Sequence, residues 1–87
     1  MNRGRSQREV VTLIFRLLDA MVAGELVVAH TLLERASGLD AAGVNSELLA
    51  SISDYIKFDE NETAKWRLKN AVAGTPYELA ASPLFHR

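Results

Sequence analysis

Lys57, Lys65, Arg67 and Lys69 all fall within the fifteen-residue stretch Tyr55–Lys69, YIKFDENETAKWRLK, where polar and apolar residues alternate on both sides of an acidic, turn-like centre. Successive side chains on a strand point to opposite faces. As a two-stranded ribbon, the stretch would turn Ile56, Phe58, Ala64, Trp66 and Leu68 to one side and the four cations to the other. The chemistry of such a face is polyanion recognition, because Lys and Arg that neutralise phosphates supply most non-specific affinity for nucleic acid. A solvated strand face that uses Lys to discourage edge-to-edge pairing would carry the same residues.

The same segment has a helical reading. Ala64, Leu68, Ala71 and Val72 recur at i, i+4, i+7 and i+8, with Asn61 as a cap and Gly74 as a stop. Trp66 would then leave the apolar stripe, and an exposed Trp suggests a protein partner. The ribbon is the expectation adopted, because it buries Trp66 and explains Ile56 and Phe58 by one alternation.

Other reactive groupings are sparse. His30 and Glu34 lie four apart and could offer two metal ligands, but a structural site takes about four and nothing nearby completes the set. His86 sits near the end, and the five glycines form no phosphate-binding loop. The expectation is no enzyme, no metal and no cofactor.

These residues must be positioned by a small chain. Its 87 residues suit one domain over 1–87, near the lower limit for a single hydrophobic core. Residues 1–5 are expected to form a flexible basic arm and 83–87 a tail. The absence of cysteine excludes a disulfide framework and agrees with a cytoplasmic location. The longest apolar region, Val10–Ala23, is interrupted by Arg16 and Asp19 and is too short to cross a bilayer core of ~30 Å. Neither membrane insertion nor export is therefore expected. Net charge is −1, yet its sign changes along the chain: +3 over residues 1–16, −5 over 17–54 and +1 over 55–69. The acidic middle argues against indiscriminate coating of nucleic acid.

Helix signals dominate. Ser6-Gln7-Arg8-Glu9 matches a capping box and opens a first helix running to about Val22, with Gly24 as its left-handed stop. Its apolar positions cover an arc of roughly 200°, wider than a single core-facing stripe. That width suggests either a deeply buried central helix or a homodimer through helix 7–22. A short strand at Glu25–Val28 precedes a second helix, Ala29–Ser37, stopped by Gly38. Asp40, or alternatively Asn45, caps a third in which Val44, Leu48 and Ile52 recur at helical spacing. Thr75-Pro76-Tyr77-Glu78 is a second capping box, opening a short helix that Pro83 would stop. Leu84 and Phe85 would then dock on the domain or serve a partner.

Three helices, then a wing and a short C-terminal helix, resemble the winged helix-turn-helix family over about Ser6–Lys69. The fold class expected is mainly α with a small β-hairpin, the alternative being an all-α bundle. The resemblance implies that helix 41–54 enters the major groove of double-stranded DNA, with Asn45 and Ser46 at the bases or phosphates, while Lys57, Lys65, Arg67 and Lys69 of the wing hold the backbone. No Arg or Lys lies on helix 41–54, which shifts the binding onto wing and arm. Two functions are therefore expected: a small DNA-binding regulator, or a protein-interaction module without nucleic-acid binding that docks through its first helix, Trp66 or Phe85.

Overall fold

A computed structural model describes residues 3–58 and 61–86. It contains five helices, α1 (Arg3–Val22), α2 (Leu26–Leu39), α3 (Ser46–Lys57), α4 (Glu62–Val72) and α5 (Glu78–Phe85), and no strand among the described residues. The winged arrangement is thereby corrected to the all-α alternative. Each helix packs on its neighbour in sequence, and α5 also closes onto α1.

The wide apolar arc of α1 is accounted for by this closure. Val10, Leu13, Ile14, Leu17, Leu18 and Met21 are all buried, facing the two helices that pack on α1, α2 and α5. Phe15 packs its ring on Tyr77, with centroids 4.9 Å apart. Each fully buried Leu or Ile contributes about 1.5–3 kcal/mol relative to an exposed one. The arc that suggested self-association is thus largely filled by the chain itself, leaving Val11 and Val22 partly exposed at its margins.

Gly24, at φ +76°, does end α1. Its N–H donates to the Met21 carbonyl and the Glu25 N–H to that of Ala20, the pairing of a Schellman turn. This turn delivers the chain straight into α2 at Leu26, so the short strand expected at Glu25–Val28 does not form. Gly38 does not stop α2, which continues through Leu39. α1 itself begins at Arg3, ahead of Ser6, so Ser6 is not its cap. The side chains of Arg3, Arg5 and Ser6 lie outside the described residues, as do Met1, Asn2 and Arg87.

The connection from α2 to α3 spans residues 40–45 and is organised by buried Asp40. Its carboxylate accepts from the Asn45 backbone N–H at 2.9 Å and from Asn45 Nδ2 at 3.3 Å. The third helix therefore starts at Ser46, not at residue 41, and Val44 is exposed in the loop. Leu48, Leu49, Ile52 and Tyr55 are buried. Tyr55 Oη donates to the Leu84 carbonyl at 3.4 Å, serving a backbone oxygen near the end of α5 that has no intrahelical partner.

At the last helix, Thr75 Oγ1 accepts from the Tyr77 N–H at 3.2 Å and donates to the Val72 carbonyl at 2.6 Å. It thus joins the end of α4 to the start of α5. Pro83 does not stop α5, which continues to Phe85. The carbonyl left without an N–H by Pro83 is that of Leu79, a residue 86% exposed, so water can take it. Leu84 is buried and Phe85 half-buried against the core, so this pair docks on the body of the domain.

Candidate functional site

The segment expected to form a wing is the end of α3 and the whole of α4. Asn61 decides its start: Oδ1 accepts from the N–H groups of Thr63 at 2.8 Å and Ala64 at 3.1 Å, satisfying two donors at the helix N-terminus. Ala64, Leu68 and Val72 then form one buried stripe. Ile56 and Phe58 do not pair with them across a ribbon, because Ile56 belongs to α3 and Phe58 is its C-cap. The acidic residues Asp59 and Glu60 lie outside the described residues.

Trp66 is 67% exposed instead of plugging the interior. At about 100° per residue it lies some 160° around α4 from Leu68, nearly opposite the buried stripe. Lys69 neighbours it at i+3 and Asn70 at i+4 on the same outward face.

The four cations consequently no longer form one row. Lys57 ends α3, where a positive charge suits the helix dipole. Lys65 is half-buried on the flank of α4, and Lys69 is exposed in its last turn. Arg67 Nη1 meets Asp54 Oδ2 at 3.1 Å, an exposed ion pair between α4 and α3. No face carries all four: Lys65 and Lys69, four residues apart, share one flank of α4, and Arg67 lies about 160° around the helix from each.

Asn45 and Ser46, the expected base readers, are engaged at the start of their own helix. Asn45 is held by Asp40, and Ser46 Oγ donates to the Gly43 carbonyl at 2.9 Å. The hollow between α2 and α3 is lined in part by Glu34, Asp40 and Ser53, with no Lys or Arg. A helix-turn-helix surface would there meet phosphate with carboxylates.

A different gathering of cations was missed in the sequence. Arg8, Arg16 and Arg35 line a groove of about 580 Å³ between α1 and α2. Arg8, Thr12 and Arg16 are spaced four apart, a signal visible in the sequence, but Arg35 joins them only because α2 runs back along α1.

His30 and Glu34 are both exposed, and among the described residues no group of three or more His, Cys, Asp or Glu could hold a metal ion. Among the same residues no helix is long and apolar enough to cross a membrane. Burial raises the Tyr77 phenol above its ordinary value. Comparison with protein-family models, with curated proteins and with solved structures found no match to this chain.

Proposed function

We propose that this chain is a protein-interaction module that presents the outward face of α4 to a partner, with Trp66 as the anchor. The observation that carries this reading is an indole 67% exposed on a capped, packed helix, pointing away from the core. Trp is the residue type most enriched among side chains that dominate binding energy, because it covers a large area with few rotamers to freeze. Covering its exposed part removes on the order of 100 Å² or more from water, worth about 3 kcal/mol before association costs.

The partner surface that fits is an apolar pocket with a carboxylate on its rim, since Lys69 stands one turn from Trp66 on the same face. Phe85 is not part of this surface, being half-buried against the core. The cytoplasm is the compartment proposed, a reading supported by the cysteine-free sequence.

Quantitative affinity capture with the intact chain and with Trp66→Ala and Lys69→Glu tests the reading. The expected result is a specific partner lost with Trp66→Ala, reduced with Lys69→Glu, and no change in helicity or melting for either variant. A partner retained equally by the intact chain and Trp66→Ala would overturn it.

A further inference from the structure

The groove between α1 and α2 is lined by Arg8, Glu9, Thr12, Leu13, Arg16 and Arg35. Three guanidiniums less one carboxylate leave the lining at +2, in a chain whose net charge is −1. The cations come from both walls, Arg8 and Arg16 two turns apart on α1 and Arg35 from α2. Arg16 and Arg35 make no ion pair or hydrogen bond among the described residues, in contrast to Arg67, which is tied to Asp54. Exposed guanidiniums need no partner, so the information lies in their convergence on one hollow, with a volume in the range of small-molecule sites.

We propose that this groove binds a small phosphate monoester whose organic part is uncharged and apolar. A carboxylate is satisfied by one guanidinium fork, whereas a phosphate monoester offers three terminal oxygens to forks approaching from two walls. Its charge of about −1.5 to −2 at neutral pH matches the lining. Arg16 also borders a second, neighbouring hollow of about 390 Å³ whose lining includes Ala20, Ala23, Val28 and Leu32. These side chains suit an apolar or aromatic group. Asp19 and Glu25 also border that hollow and would repel a second phosphate, which disfavours a polynucleotide lying along the groove. This inference is independent of the role given to Trp66.

Phenyl phosphate is the probe, titrated into the isotopically labelled full chain while backbone amide shifts are followed. Saturable shifts centred on Thr12, Arg16 and Arg35 are expected. The double substitution Arg16→Ala/Arg35→Ala should weaken binding at least about ten-fold through lost charge-assisted hydrogen bonds, with melting unchanged. Arg35→Gln alone should weaken it less. Inorganic phosphate, lacking the apolar part, should bind several-fold more weakly, at about 1 kcal/mol less. Absence of saturation below about 10 mM, or binding indifferent to both arginine variants, would falsify the proposal. So would equal or tighter binding of a duplex without terminal phosphates at the same residues.

Discussion

The α1–α2 pair and the α3–α4 pair treat their cations in opposite ways. In the second, four bases within fifteen residues do not share one face: Lys57 ends α3, Arg67 turns to an ion pair with Asp54, and only Lys65 and Lys69, four apart, stay neighbours on α4. In the first, Arg35 joins Arg8 and Arg16 across a gap of nineteen residues from the nearer of them, because two antiparallel helices bring their flanks together. Charge density along a chain is therefore a poor guide to charge density on a surface. The backbone period and the partner helix decide which side chains share a face.

The largest effect that could break this comparison comes from two neighbours on α4. Leu68→Ala removes a fully buried side chain and should cost about 2–5 kcal/mol in urea unfolding. Trp66→Ala should stay within about 0.5 kcal/mol, as for surface positions without special contacts. A ribbon would bury both residues on one face and make both substitutions costly, so comparable losses would refute the helix. Next is the cap: Asn61→Ala should cost about 1 kcal/mol, measured in the same unfolding experiment, because two N–H groups lose their acceptor.

A third test concerns the seam where α5 meets α1. The folded Tyr77 phenol titrates above its unfolded value, so the native state holds that proton more tightly. Its contribution is intact below the unfolded value near 10.0 and is lost as pH rises from there through the folded value. Tyr77→Phe should abolish that alkaline loss in melting curves taken across the window. The smallest effect separates the two cationic regions directly. Arg67→Ala should destabilise by at most about 1 kcal/mol, with the loss fading at high salt, since its ion pair is exposed. Arg16→Ala should leave stability unchanged or slightly raised by relieved repulsion.

Much of the architecture was legible because α1 is long and strongly periodic, and Gly24 marks its end unambiguously. The α4 segment misled because fifteen residues satisfy both a period of two and a period of 3.6. Trp66, Ile56 and Phe58 favoured alternation; in the helices Trp66 leaves the buried stripe, as the period of 3.6 implies, Phe58 is exposed beyond the end of α3 and Ile56 packs half-buried against the core. The local signals that pointed the right way were the spacing of Ala64, Leu68, Ala71 and Val72 and the capping residue Asn61, a type that also suits turns. Pro83 and Gly38 failed as stops because the helix around each is held by tertiary contacts, including buried Leu84 and Ala36. Of the expected DNA-reading residues, Asn45 and Ser46 are engaged at their own helix start. Arg35 went unnoticed because its neighbours in space lie on another helix.

The position of Trp66 also sets how this protein can be watched. It is the sole tryptophan, and its indole is already largely in water in the native state, so its emission will change little on denaturation. Unfolding is better followed by helical dichroism or by the two tyrosines, both buried. The same indole is then a reporter reserved for surface events: a blue shift without loss of helix content signals that something has covered α4.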